Sequence, residues 1–97
     1  MSRQYFVYIV ASCARGTLYI GSTSDLIQRA YQHREGLVAG FTKKYGVRHL
    51  VWFELHENPF SMVTRERQLK EWHRRWKIEL IEKENPKWRD LYPDLLR

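Results

Sequence analysis

Two short β-prone runs near the start of the chain, with a turn-rich segment between them, constrain its fold more than any other feature. The first run, Tyr5–Ala11, consists of β-favouring or small apolar residues, and the second, Thr17–Gly21, reads TLYIG. The segment between them contains a glycine. Two such runs joined by a short glycine-containing turn predict a β-hairpin.

The register of this hairpin decides where its tyrosines lie. If the turn is centred between Cys13 and Ala14, Tyr8 lies directly opposite Tyr19. Directly opposed residues share one face of the sheet, so the two phenols would stand side by side. Gly21, inside the second run, indicates a bend or a close backbone approach.

A helix is predicted from Leu26 to about Arg34, after the helix-start residues Ser22–Asp25. At about 100° per residue, Arg29 and His33 lie on one shoulder of this helix. Arg29 fits either a solvated surface cation or a functional group. The predicted apolar face consists of Leu26, Ile27, Ala30 and Tyr31.

The third predicted strand is His49–His56, and both of its faces are largely apolar, as in a central or well-covered strand. Strict alternation places Val51, Phe53 and Leu55 on one face and Leu50, Trp52, Glu54 and His56 on the other. The preceding segment, residues 37–47, contains two glycines and a Lys-Lys pair and predicts a loop.

Residues 60–84 are predicted to be helical, although the region is long for one helix without a break. Its apolar stripe consists of Met62, Leu69, Trp76 and Leu80, with Trp72 at the edge. Glu66 and His73 fall on the same stripe. A carboxylate in that position is costly unless it is paired or bound to a metal. Pairing with Lys70, four residues later, is the alternative explanation for Glu66.

These elements predict a single α/β domain over residues 1–97. It would contain a small three-stranded sheet, made of an antiparallel hairpin plus a third strand, flanked by helices in the order β-β-α-β-α. Asn85-Pro86 ends the helical region, so residues 1–84 form the core and 85–97 a C-terminal helical cap. Trp88, Leu91 and Tyr92 are spaced to pack back onto the core.

The charge of the chain favours a polyanionic partner. It carries 17 Lys and Arg against 11 Asp and Glu, a formal net charge of +6. Lys43 and Lys44 are the candidate phosphate contacts of the loop, and Arg65 and Lys70 those of the helical region. A solvated loop or helix face explains each of these cations equally well when it is considered alone.

Composition narrows the setting of the protein. The single cysteine, Cys13, permits no internal disulfide, which fits a reducing cytoplasm. No apolar run approaches the roughly 20 residues of a membrane span, and Met1–Gln4 show no signal-peptide pattern. The histidines lack the spacing of a zinc site.

Several of these segments together resemble the GIY-YIG nuclease superfamily. The residues that carry the resemblance are Val7–Ile9 for the first motif, Tyr19–Gly21 for the second, Asp25–Arg29 with His33 on the helix, and Thr64–Lys70 further on. The likeness spans nearly the whole chain. It is closest to the small stand-alone bacterial members and extends to the amino-terminal nuclease domain of excinuclease C. One departure is Phe6, which stands before Val7-Tyr8 where the family motif has glycine.

The resemblance implies a metal-dependent endonuclease that hydrolyses DNA phosphodiester bonds, with RNA also open as a substrate. The implied catalytic residues, meeting on one side of the sheet, are Tyr8, Tyr19, Arg29, His33 and Glu66. Glu66 would hold Mg²⁺ or Mn²⁺, Arg29 would grip the scissile phosphate, and either tyrosine could act as general base. Asn85 is a weaker candidate, because family members often carry a late asparagine near the site.

No helix-turn-helix or zinc-finger pattern is present, so we expect recognition of DNA backbone and shape, or targeting by a partner protein. Two other hypotheses remain. One is a non-catalytic nucleic-acid-binding module that keeps the fold, and the other is a protein-interaction adaptor in a repair complex. The joint presence of Tyr8, Tyr19, Arg29 and Glu66 favours catalysis over both.

Overall fold

A three-stranded antiparallel sheet forms the centre of the protein in a computed structural model that describes residues 4–97. Its strands are β1 (Tyr5–Ala11), β2 (Leu18–Thr23) and β3 (His49–His56), in the spatial order β2-β1-β3. The prediction of an antiparallel hairpin plus a third strand is confirmed, but β1 is the central strand and β3 an edge strand. The expectation that the start of the chain is not a signal peptide rests largely on Met1, Ser2 and Arg3, which lie outside the described residues.

Within residues 4–97, five helices surround this sheet in the predicted β-β-α-β-α order with a helical extension. They are α1 (Leu26–Arg34), α2 (Phe41–Lys44), α3 (Pro59–Glu71), α4 (Arg74–Glu84) and α5 (Tyr92–Leu95). The short helix α2 corrects the prediction that residues 37–47 are all loop. Gly40, with φ of 88°, gives the backbone the left-handed turn that enters it. Among the described helices, none is long and apolar enough to cross a membrane.

The hairpin register differs from the prediction because the centre of the turn lies one residue further along the chain. Tyr8 pairs with Gly21, and Tyr19 pairs with Val10. The turn is centred one residue later than expected, where Arg15 adopts a positive φ of 55°. A one-residue shift of the centre moves every partner by two residues, so each side chain keeps its predicted face. The two tyrosines are therefore diagonal neighbours on one face rather than directly opposed.

A β-bulge in β3 corrects the predicted alternation of that strand. Ile9 of β1 pairs with Trp52 and Val10 with Leu50, so Val51 is the extra residue. A bulge turns successive side chains toward the same face. Val51 and Trp52 consequently pack into one core cluster, whereas Leu50 lies in the other, which Phe53 packs against.

The two core clusters cover opposite faces of the sheet. The cluster against α3 and α4 contains Val7, Ile9, Leu69 and Ile81. The cluster against α1 contains Tyr8, Val10, Leu26, Ala30, Val47 and Leu50.

Helix α1 buries a different stripe from the one predicted. Leu26, Ala30 and His33 are buried, at positions i, i+4 and i+7 of the helix. Ile27 and Tyr31, predicted on the apolar face, are each 46% exposed. The correction matters for function because it places the His33 ring against the sheet.

The helical region after β3 is broken at Trp72 and His73, whose backbones are extended with ψ of 148° and 146°. The break redirects the chain, so only part of the predicted stripe is kept: Leu69, Trp72 and Leu80 pack in or against the core cluster. His73 and Trp76 are exposed, and Ile81 is buried in their place.

The C-terminal segment packs on both faces of the sheet. Trp88 is buried in the cluster on the α3 and α4 side, and Leu91 and Tyr92 pack against the cluster on the α1 side. Asp90 connects three elements, because its carboxylate accepts hydrogen bonds from Arg34 of α1 and from the backbone N–H groups of Leu50 and Tyr92.

Candidate active site

A buried hydrogen bond between Tyr8 and His33 forms the centre of the candidate site. The Tyr8 hydroxyl lies 3.0 Å from His33 Nε2, and both side chains are about 1% exposed. Strand β1 supplies the phenol. Helix α1 supplies His33, which lies two turns after Leu26 and is buried against the sheet. The pair is therefore fixed by two packed elements rather than by a loop.

Gly21 makes room for the Tyr8 ring. A Cβ built on Gly21 would lie 2.5 Å from the Tyr8 hydroxyl oxygen and 2.6 Å from its Cζ, far inside van der Waals contact. The ring thus lies directly over the glycine of the paired strand. The close neighbour of Gly21 is therefore a side-chain ring, whereas the sequence predicted a bend or a close backbone approach.

Tyr19 lies beside the same histidine but is only partly buried. Its ring centroid is 5.8 Å from that of His33 and 6.2 Å from that of Phe41 on α2. Tyr19 also lines a cleft of about 320 Å³ with Phe41, Lys70 and Lys77. The two tyrosines therefore have different surroundings, one enclosed against His33 and the other at a cleft.

Burial and the neighbouring Arg29 set the protonation of the pair. Burial raises the pKa of Tyr8 to about 12, with Arg29 opposing that rise. Burial, aided by the positive charge of Arg29, lowers the pKa of His33 to about 4. At neutral pH the phenol is therefore protonated and the imidazole is neutral, so His33 has a nitrogen lone pair with which to accept a proton.

Arg29 is half-buried on α1 and close enough to act electrostatically on both groups. The cation favours negative charge on Tyr8 and disfavours positive charge on His33. An arginine in that position can also bind a phosphate through its paired N–H groups. It lies beside the Tyr8–His33 pair, while the helix pattern placed it only on the same shoulder of α1 as His33.

Glu66 reaches this region from the other side of the sheet. It lies on α3. Its carboxylate accepts a hydrogen bond from Ser22 Oγ on the edge strand β2 and forms an ion pair with Lys70 Nζ at 2.7 Å. Burial alone would raise the pKa of Glu66, but the hydrogen bonds from Lys70 and Ser22 lower it below its ordinary value. The carboxylate is thus ionised. Helices α1 and α3 pack on opposite faces of the sheet, but Glu66 is close enough to raise the pKa of Tyr8 through its charge. That these five residues form one site stays a prediction.

The Glu66 carboxylate has the chemistry of a Mg²⁺ ligand. It is an ionised oxygen donor at a cleft of about 240 Å³, also lined by Val63, Arg67 and Lys70. No group of three or more His, Cys, Asp or Glu side chains that could hold a metal occurs among residues 4–97. Mg²⁺ commonly uses one or two carboxylates and keeps several waters, so a single carboxylate in an open cleft fits that ion.

The predicted phosphate-binding residues have different surroundings. Lys43 and Lys44 are exposed on α2, and Lys70 pairs with Glu66 while lining both clefts. The Arg65 guanidinium is already engaged, since it binds Glu54 and Gln68 and lies over the Trp72 ring.

Asn85 is buried and serves the C-terminal segment. Its amide donates to the carbonyl oxygens of Val51 and Arg89, and its side-chain oxygen accepts from the Arg89 N–H. These contacts connect the end of α4 to β3 and to the tail.

Three residues of the site were not singled out by the sequence pattern. Ser22 binds Glu66, Phe41 contacts Tyr19, and Lys77 lines the cleft beside Tyr19. The position of Ser22 could have been predicted, because alternation along β2 places its side chain on the face of the sheet opposite Tyr19 and Gly21. Phe41 and Lys77 carry none, because their positions depend on the path of α2 and on the break before α4.

Comparison with known proteins gives consistent matches over most of the chain. The family model described as the GIY-YIG catalytic domain matches residues 4–79. UPF0213 proteins from Staphylococcus aureus strains Mu3 and N315 are each 38% identical over 77 residues, covering 79% of this chain and 93% of theirs. The solution NMR structure of the UPF0213 protein BH0048 from Bacillus halodurans superposes with a TM-score of 0.56 at 26% identity, covering 90% of this chain and 92% of that one.

Proposed function

Because this chain belongs to the GIY-YIG catalytic domain family, a family of nucleases, we propose that it is a metal-dependent endonuclease that hydrolyses DNA phosphodiester bonds. The hydrogen bond between Tyr8 and His33, with Arg29 beside it, is the observation that carries this proposal. A phenol held against a neutral imidazole next to a cation is costly to bury and has a direct use in proton transfer beside a phosphate.

The pair supplies a proton relay. The attacking water gives a proton to Tyr8 Oη while the Tyr8 hydroxyl proton passes to His33 Nε2, leaving an imidazolium. The relay avoids a free phenolate, which the raised pKa of Tyr8 makes scarce at neutral pH. It requires the His33 proton to lie on Nδ1 before reaction, so that Nε2 is the acceptor.

Tyr8 is the proposed general base because it alone of the two tyrosines has a hydrogen bond to a proton acceptor in the described part of the chain. Tyr19, at the cleft, is the proposed contact that positions the phosphate. Arg29 binds the scissile phosphate and stabilises the negative charge that develops on it. When bound, Mg²⁺ or Mn²⁺ would be held by Glu66 and would neutralise the leaving 3′-oxygen.

The proposed substrate is DNA recognised by backbone and shape, in repair or processing in the cytoplasm. The exposed Lys43 and Lys44 and the cleft residues Lys70 and Lys77 support this proposal, because lysines contact phosphates without reading bases. Targeting by a partner protein is compatible with the same site.

A cleavage assay tests the proposal. Purified protein is incubated with branched, nicked and single-stranded DNA in Mg²⁺ or Mn²⁺, and in EDTA. Cleavage that requires the metal is the expected result. Binding without cleavage under every metal condition would instead identify a non-catalytic module, and neither binding nor cleavage an adaptor.

Two variants make the assay specific to Glu66. Glu66→Ala should lose cleavage yet still bind DNA, with equal or higher affinity, because removing a carboxylate frees Lys70 and removes repulsion toward phosphates. Glu79→Ala removes an exposed carboxylate from α4 and serves as the matched control. Cleavage by Glu66→Ala within a few-fold of wild type at saturating Mg²⁺ would refute the metal assignment.

A further inference from the structure

An exposed pair of aromatic rings lies next to the candidate active site. Phe41 and Tyr45 are 46% and 49% exposed, and their ring centroids are 4.7 Å apart. Single exposed apolar side chains are common on soluble proteins, but adjacent ones form a patch of the kind that marks interaction sites. Phe41 also contacts Tyr19, so the pair continues the aromatic surface of the site outward.

The electrostatic surroundings of this aromatic pair match a nucleic acid. Lys43 and Lys44 lie between the two aromatic residues on α2, and Lys44 Nζ is 5.4 Å from the Tyr45 ring centroid. Neither lysine forms an ion pair with a carboxylate of the described residues. A protein-binding apolar surface would not need these cations, whereas an aromatic ring flanked by lysines is the arrangement that stacks a base and holds its phosphates.

The adjoining cleft has room for one such group. It has a volume of about 320 Å³, at the lower end of the roughly 300–1,000 Å³ typical of small-molecule sites. Tyr19 and Phe41 supply aromatic walls, and Lys70 and Lys77 supply cations. Lys70 also contacts Glu66, so the cleft and the proposed metal ligand share one side chain.

We propose that Phe41 and Tyr45 form a stacking platform for an unpaired nucleobase next to the scissile phosphate. This inference deepens the proposed function and rests on it. In a continuous duplex the faces of the bases are covered by their neighbours, so stacking on a protein ring requires an unpaired or extruded base. The substrate class is therefore DNA with unpaired nucleotides at the cleavage point, such as a single-stranded segment, a gap or a branch.

Binding in EDTA tests the platform without requiring catalysis. A 16-nucleotide single strand carrying one central 2-aminopurine, and the same strand in a duplex, are titrated with the full chain, following anisotropy and 2-aminopurine fluorescence. Wild type should quench the fluorescence of the single strand. Phe41→Leu and Tyr45→Leu should each weaken single-strand binding by about 5–100-fold, the worth of one stacked base, with duplex affinity unchanged.

Matched variants exclude trivial explanations. Phe60→Leu removes another aromatic ring, 83% exposed at the start of α3, and should change neither affinity. Phe41→Trp keeps a stacking surface and should retain quenching. Tyr45→Leu is less prone to disturb folding than Phe41→Leu, because Phe41 also packs against Tyr19. The melting temperature of each variant is compared with that of wild type to detect a folding defect.

The outcomes separate this inference from the nuclease proposal. If Phe41→Leu and Tyr45→Leu bind the single strand as wild type does, or lose single-strand and duplex binding equally, the platform is wrong. Absence of cleavage of every substrate in Mg²⁺ and Mn²⁺ would remove the nuclease proposal while leaving the stacking result in place. Cleavage with unchanged binding by both variants would remove the platform alone.

Discussion

At the scale of single residues, the two site tyrosines are chemically identical but differ in their surroundings. Tyr8 is enclosed and bonded to His33, and Tyr19 borders a cleft. Tyr8→Phe should therefore lower the cleavage rate by roughly 10²–10⁴-fold, the usual worth of a general base, while Tyr19→Phe costs less. Single-turnover rates at saturating DNA measure both effects.

Tyr31→Phe is the control for this comparison, because its ring lies on the exposed side of α1 against Tyr92. Equal losses in the Tyr8 and Tyr19 variants would contradict the assigned roles. Wild-type rates in both would show that the phenols only fill space.

His33 makes stability depend on pH in a defined direction. Its pKa is about 4 when folded and about 6.5 when unfolded, so the unfolded chain binds more protons between these values. The free energy of unfolding should then fall as pH drops from about 6.5 to 4, by up to roughly 3 kcal/mol. Urea unfolding at a series of pH values measures this slope.

His33→Gln keeps a hydrogen-bonding group near the Nε2 position but does not titrate, so its slope in this window should be smaller. His73→Asn, at an exposed position before α4, should keep the wild-type slope. The lowered pKa of Glu66 adds a further loss of stability as pH falls through the ordinary carboxyl range, which overlaps the acid end of this window. An equal slope in wild type and His33→Gln would exclude His33 as the source.

At the scale of elements, the pairing of β1 with β2 forces a glycine at position 21. Gly21→Ala places a methyl group 2.6 Å from Tyr8 Cζ, so the ring must move away from His33. We expect a loss of about 1–3 kcal/mol of stability, the usual cost of overpacking, together with loss of cleavage. Thermal unfolding and the cleavage assay measure the two effects.

A double-mutant cycle identifies the cause. If the clash with the ring is responsible, Gly21→Ala combined with Tyr8→Ala should be less destabilised than the sum of the two single variants. Additive effects would place the cost of Gly21→Ala in the strand backbone instead.

The elements also show which features the sequence can predict. The hairpin, α1 and β3 follow from short-range patterns, and the faces of Tyr8 and Tyr19 survive a wrong register because the shift is even. The bulge at Val51 and the break at Trp72 do not follow from those patterns, because tertiary packing decides them. His33 was therefore predicted as a candidate, but its burial against Tyr8 was not.

At the scale of the whole molecule, the net charge of +6 predicts binding that depends strongly on salt. The logarithm of the binding constant for duplex DNA should fall with log salt with a slope near −0.9 per phosphate contacted. Replacing both Lys43 and Lys44 with alanine should reduce that slope by about two units if each contacts one phosphate. Anisotropy titrations from low to physiological salt measure it, and a flat response would contradict phosphate binding altogether.

The C-terminal segment, residues 85–97, matters for the design of chimaeras between related chains. The family match ends at residue 79, yet Asp90 holds Arg34 of α1 and the Leu50 N–H of β3 through one carboxylate. Because α1 carries Arg29 and His33, the tail braces the helix that presents both. A chimaera that joins residues 4–79 of this chain to a foreign tail would inherit every proposed catalytic side chain, but it would need an acidic residue in place of Asp90 to keep α1 anchored to β3.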